Sequence, residues 1–208
     1  YLFPEIISYR ADGLREMMAA VGDLGVVGAG CPVPGFQWLH VWFHGGATAA
    51  IYAYYDHPDL MEELMALCER QCLRTAEMVI DAKPDFFMLG ASGLWTLNSP
   101  EIFRRFSLPT IQKITRWCKE AGLPSFLHSC GRQRETVEIL ASETDLDVVN
   151  PLEPPPMGDC DLRELKQKFG HKLAFMGNLH TTEVMLRGTP EKVRQACMDA
   201  IDAAGAGG

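Results

Sequence analysis

Residues 124–131 read Pro124-Ser125-Phe126-Leu127-His128-Ser129-Cys130-Gly131. A short apolar run follows a proline and ends in a histidine, a cysteine and a glycine. Pro124–His128 predicts a strand bounded by turn residues. In a strand, side chains two apart point to one face, so His128 and Cys130 can aim at one spot. The spot lies where the strand gives way to loop, and parallel α/β folds place their sites at that end. Gly131 lets the backbone turn directly after Cys130.

Outward from this stretch, strands and helices alternate. Leu24–Gly30 (LGVVGAG), Asp85–Ala91 (DFFMLGA), Leu146–Asn150 (LDVVN) and Leu173–Gly177 (LAFMG) are further apolar runs. Pro58 to Ala82 predicts a long helix, with Leu60, Leu64, Leu67, Cys68, Cys72 and Val79 close to a 3.6 period. Ser99-Pro100-Glu101 opens a helix that runs to about Ala121 and ends at Gly122, with Ser99 as N-cap. Arg132–Ser142 and Asp161–Phe169 predict helices, and Thr189-Pro190-Glu191 starts the last one. Such alternation indicates an α/β protein with a parallel sheet. An open doubly wound sheet and a closed barrel give the same pattern. The lack of a Gly-rich fingerprint after the first strand weighs against a dinucleotide fold.

The chain has 208 residues, which suits a single domain, 1–208. Both ends read as cuts, at Tyr1-Leu2-Phe3-Pro4 and at Ala204-Gly205-Ala206-Gly207-Gly208. A net charge of -8 disfavours a nucleic-acid binder, which needs a basic patch. No apolar run approaches the roughly 20 residues of a membrane span. Seven cysteines, an odd number, point to free thiols in a reducing, cytoplasmic compartment. Cys68 and Cys72 lie on the apolar stripe of their helix, so packing is the favoured reading for them.

Imidazole plus thiolate suits zinc, and a catalytic zinc usually keeps three protein ligands and one open position. Glu153, in the proline-stiffened loop after LDVVN, is the first candidate for a third or exchangeable ligand and for a catalytic role. Cys160 and Cys31 are weaker candidates, and a further ligand beyond Gly208 is a fourth possibility. The plainer alternative makes His128 a hydrogen-bonded core histidine and Cys130 a small buried hydrophobe. Ser92, Asn98, Asn178 and His180 follow strands and are candidates to line a cofactor mouth, with ordinary loop capping as the alternative. His40 and His44 beside Trp38 and Trp42 form an aromatic cluster that could stack on a flat macrocycle or pack as a helix segment.

The combined motifs resemble the C-terminal half of the uroporphyrinogen-decarboxylase superfamily. They are His128-Ser129-Cys130-Gly131, Asp147 to Pro151, Asp161 to Lys166, Phe175-Met176-Gly177-Asn178 and Gly188-Thr189-Pro190-Glu191. Asn98-Ser99-Pro100-Glu101-Ile102-Phe103 fits the helix opening of that family. The resemblance is good over about residues 80–208 and loose before. It implies a (β/α)8 barrel of TIM type, here incomplete. It also implies the branch of zinc- and corrinoid-dependent methyltransferases, which carry His-x-Cys and a later cysteine on zinc. The expected reaction moves a methyl group between a corrinoid (cobalamin), carried by a partner protein, and a small thiol or methylated substrate. His128 and Cys130 would be ligands, and Glu153 would yield its place as substrate arrives.

Two other readings stay open. One is a metal-free decarboxylase acting on a tetrapyrrole, with Arg132 and Arg134 as the nearest basic groups. The arginine-rich N-terminal motif of those enzymes is not visible, and Gly35-Phe36-Gln37-Trp38-Leu39 stands near where their GxPWT segment would be. The other is a non-catalytic binding subunit built on a barrel.

Overall fold

A computed structural model of the chain describes residues 6, 8–39, 42–90 and 98–207. Its centre is a five-stranded sheet of β1 (Gly28–Cys31), β2 (Phe86–Gly90), β3 (Ser125–Ser129), β4 (Val148–Pro151) and β5 (Ala174–Phe175). The strands lie in chain order and every neighbouring pair is parallel. A doubly wound sheet reverses its strand order at a switch point. This sheet does not, and its βα succession is that of a partial (β/α)8 barrel.

The first strand begins later than the apolar run Leu24–Gly30 suggests. Gly22–Leu24 forms a 3-10 turn instead, with Leu24 fully in solvent. Pairing starts where Asp85 grips Val27: its Oδ2 accepts from Val27 N at 2.7 Å and its N donates to Val27 O at 2.9 Å. Residues before that clamp have no strand to pair with.

The long helix spans Pro58–Asp81, with Pro58 in its first turn. Its buried stripe is Met61, Met65, Cys68, Cys72, Ala76 and Val79, and Leu60 is exposed. Cys68, Cys72 and Val79 fix the phase of the stripe. Three and seven residues before Cys68 stand Met65 and Met61, not Leu60 and Leu64. Unbranched methionine fills the irregular space there.

Ser99 caps the next helix, accepting from Ile102 N at 3.2 Å. That helix is not continuous. Pro100–Ile102 leads into a π-helical turn, Phe103–Ser107, before the α-helix Leu108–Glu120. Pro109 has no N–H to give to the preceding turn, and the ladder widens around the defect. Arg134–Glu143, Leu162–Phe169 and Pro190–Ala204 follow, the last two capped by Asp161 and Thr189 side chains. The helices Asp12–Val21 and Gly46–Asp56 were not expected. The second is rich in alanine and tyrosine and buries only Ala50, so it shows no clear apolar stripe.

Alternation along the strands divides the sheet into two faces. Phe87, Leu89, Leu127 and Val149 are fully buried beneath the helices, in one core with Ile111, Ile114, Leu140 and Leu165. The opposite face carries Met88, Phe126, His128 and Asn150, and is open enough to leave Met88 43% exposed. A smaller cluster of Phe36, Leu39, Ala50, Met61, Met65, Cys68 and Phe106 packs beside the main core. No helix among the described residues is long and apolar enough to cross a membrane.

Leu127 sits at the centre of the sheet under the helices, where truncation leaves a cavity. Leu127→Ala is expected to cost about 2–5 kcal/mol of unfolding free energy, measured by urea denaturation. Met88→Ala, on the open face, is expected to cost much less.

Candidate functional site

The register of the parallel strands builds the site. Gly90 pairs with His128, and His128 pairs with Asn150, so one row crosses three strands near their carboxyl ends. His128 and Asn150 both point to the open face. Asn150 Oδ1 lies 2.7 Å from His128 Nδ1, and Asn150 Nδ2 donates to Met176 O at 3.0 Å. The other imidazole nitrogen, Nε2, faces Cys130 Sγ at 3.2 Å. The two side chains share a face at the sheet mouth, each partly accessible.

A tetrahedral zinc with ordinary Zn–N and Zn–S bonds holds its nitrogen and sulfur about 3.5 Å apart. His128 and Cys130 therefore fit as two of its ligands. Among the described residues, no three of His, Cys, Asp and Glu are grouped closely enough to hold a metal ion. Glu153 stands next to the pair in the fold, but its Oε2 accepts from Gly131 N at 2.6 Å. It thus holds the turn that carries Cys130.

The loop after β4 braces that turn at several points. Asp159 Oδ1 accepts from Gln133 N at 2.8 Å and Arg134 N at 3.1 Å, capping the helix Arg134–Glu143. Cys160 N donates to Glu153 O at 3.1 Å. Gly158 packs so closely that a Cβ there would stand 2.3 Å from Glu153 O and 2.5 Å from Gly131 O. Gly131 itself has φ +90°, which suits glycine. Leu152 adopts φ +60° although it is a leucine, and is fully buried. Asn178 Nδ2 donates to Leu152 O at 3.0 Å and helps hold this strained corner.

The remaining candidates fall in other places. Asn98 is buried, with Oδ1 accepting from Phe36 N at 3.0 Å and Nδ2 donating to Gln37 Oε1 at 2.7 Å, so it ties two segments together. His180 Nδ1 accepts from Thr182 N and Glu183 N, capping the π-helical turn Thr181–Leu186. Asn178 and His180 meet on one groove of about 400 Å³, together with Arg163 and Asp199. Neither His128 nor Cys130 lines that groove. Ser92 and His40 lie outside the described residues. Trp38 and Trp42 stack, with ring centroids 6.1 Å apart. Arg134 pairs with Glu164, whereas Arg132 is exposed.

The thiols sort by burial. Cys31 donates to Cys72 O at 3.6 Å inside the core, and Cys160 is also buried. Burial pushes the thiols of Cys68, Cys118 and Cys160 up to about 12. Hydrogen bonding with Cys31, then burial, pushes Cys72 up as well. These groups are protonated and inert at neutral pH. Cys130 and Cys197 are the two partly accessible thiols.

Asn150 and Asp159 were not singled out in the sequence. Asn150 ends its strand as His128 ends the previous one, so aligning the two apolar runs by their last strand residue would have revealed the first. Asp159 caps a helix distant in the chain, and no local pattern signals that.

Comparison with known proteins adds two findings. The model of the uroporphyrinogen decarboxylase (URO-D) family matches residues 44–208. A methylated-thiol–coenzyme M methyltransferase of Methanosarcina mazei is 26% identical over 115 residues. That match covers 55% of this chain and 29% of the relative, so it spans less than a third of the relative's length.

Thiol alkylation reads the burial pattern directly. At about pH 8.5, near the ordinary thiol range, iodoacetamide is expected to modify Cys130 and Cys197 in the native protein. Cys68, Cys118 and Cys160 are expected to react only after urea is added, because their thiolates form in the fold only near pH 12. Peptide mass spectrometry locates the adducts.

Proposed function

This chain belongs to the uroporphyrinogen decarboxylase family, and from that premise we propose that it is a zinc-dependent methyltransferase working between a corrinoid carrier and a thiol acceptor. The observation that carries the reading is the 3.2 Å approach of His128 Nε2 and Cys130 Sγ at the carboxyl end of β3. The similarity to a methylated-thiol–coenzyme M methyltransferase supports methyl transfer as the reaction class.

In this reading His128 and Cys130 hold the zinc. When bound, zinc would strip the proton from an incoming thiol and keep its sulfur as thiolate, the nucleophile that accepts a methyl group. Ligation by Cys130 itself requires loss of the thiol proton, so uptake of metal releases protons and strengthens as pH rises. Glu153 fixes the Cys130–Gly131 turn through the Gly131 amide. Its proposed second duty is that of an exchangeable oxygen donor, displaced when the acceptor enters. Asn178 and His180, gathered on one groove, are assigned to contact with the corrinoid or the protein that carries it.

The tetrapyrrole decarboxylase reading needs free cationic groups to hold carboxylates. Arg134 is already paired with Glu164, which leaves Arg132 alone of the two nearest candidates.

Zinc analysis of the purified protein tests the metal. Wild type is expected to carry about one zinc per chain, as a mononuclear site requires, and Cys130→Ala and His128→Ala to lose most of it. Methyl transfer from methylcobalamin to coenzyme M is expected to fall at least about 100-fold in both variants. Wild-type protein that takes up no zinc from a zinc-replete buffer overturns the metal assignment and favours a metal-free enzyme or a binding subunit. Zinc-loaded protein that moves no methyl group overturns the corrinoid assignment.

A further inference from the structure

We propose that Asn150 is a positioning residue that sets the tautomer of His128, holding the ring as Nδ1–H so that Nε2 turns a lone pair toward Cys130. The inference rests on the reading of His128 and Cys130 as a ligand pair, and it adds a residue with a separate and measurable duty.

Met176 N donates to Val149 O at 3.0 Å, so this residue is pinned beside β4. Its carbonyl oxygen can only accept. Asn150 presents two chemically different ends, and the end 3.0 Å from Met176 O must be the NH2 group. The carbonyl end is thereby directed at His128 Nδ1, 2.7 Å away. Two acceptors would repel at that distance, so Nδ1 must carry a hydrogen. A neutral imidazole has one ring N–H, which leaves Nε2 with its lone pair exposed. That nitrogen is the one facing Cys130 Sγ.

Free histidine side chains favour the opposite tautomer, with hydrogen on Nε2. In that form the ring would turn an N–H toward the metal position and could not ligate through Nε2. Asn150 removes the need for tautomer exchange before binding. Aspartate at this position would still accept from Nδ1–H. It would, however, face Met176 O with a second acceptor and lose the tether. Asparagine satisfies both neighbours with one side chain.

The test uses protein labelled with ¹⁵N at histidine, freed of metal, at about pH 8, where an ordinary imidazole is neutral. The chain has six histidines, and the signals lost in His128→Gln assign the ring. Long-range ¹H–¹⁵N spectra are expected to show Nδ1 protonated and Nε2 unprotonated in wild type. Asn150→Leu, branched at the same carbon but with no acceptor, is expected to move His128 to the Nε2–H form. Asn150→Asp is expected to keep Nδ1–H. Zinc affinity from chelator competition is expected to fall about 10–100-fold in Asn150→Leu and much less in Asn150→Asp.

A wild-type ring protonated on Nε2 overturns the proposal, and so does a ring that stays Nδ1–H in Asn150→Leu. Equal loss of zinc affinity in both variants, with the tautomer unchanged, would mark Asn150 as a merely structural residue and also overturns it. Should Asn150→Leu fail to fold, Asn150→Ala, which also removes the acceptor, is expected to move His128 to the Nε2–H form, and a ring that stays Nδ1–H there overturns the proposal. If wild type binds no zinc, the ligand reading falls on its own, because the tautomer is read in metal-free protein.

Discussion

The pairing register of β3 and β4 is the constraint on which the site depends. It sets His128 beside Asn150 on the open face of the sheet and sends Leu127 and Val149 into the core. A slip of one residue would exchange the two sets. The imidazole would then be driven under the helices and leucine out to the mouth. The register is specified because burial on the helix side is nearly complete at these positions. Hydrophobic packing thus fixes the polar geometry, although no apolar atom takes part in the proposed chemistry.

A second layer of order comes from the loops above the strands. Glu153 and Asp159 each receive backbone N–H groups from residues 131–134, which are short of partners where a strand has ended and a helix has not yet begun. Carboxylates accept such bonds strongly. The carboxylates belong to the loop after β4, so that loop positions the turn after β3. Glu153, the first candidate for a third ligand, is therefore engaged with a backbone amide. The proposed ligand pair, His128 and Cys130, is held by neighbours on the adjoining strand β4 and the loop after it.

Much of this fold was legible in the sequence because it rests on local chemistry. Proline and capping side chains mark the helix starts at Pro58, Ser99, Asp161 and Thr189, and all four are helix starts in the structure. The five apolar runs became the five strands, in chain order. What the sequence left open was the choice between barrel-type and doubly wound order, a long-range property that no local pattern encodes. Proximity of Cys130 to His128 follows from the two-residue period of a strand. The engagement of Glu153 with Gly131 depends on how a proline-rich loop folds back, and proline fixes φ without fixing direction. In the long helix Cys68, Cys72 and Val79 lie on the buried stripe as their spacing predicts, whereas its first turns are filled by Met61 and Met65 and Leu60 is exposed. The break at Phe103–Ser107 follows from Pro109, whose consequence is local yet was masked by a strong apolar period on both sides.

The close packing of Gly158 against Glu153 and Gly131 bears on how molecules come and go. A wall with no room for a single methyl group, stiffened by prolines and stitched to its neighbour, behaves as a fixed jamb and not as a flap. An acceptor that reaches the proposed ligand pair would pass this rigid edge without moving it, so exclusion of solvent would have to come from other parts of the strand mouth.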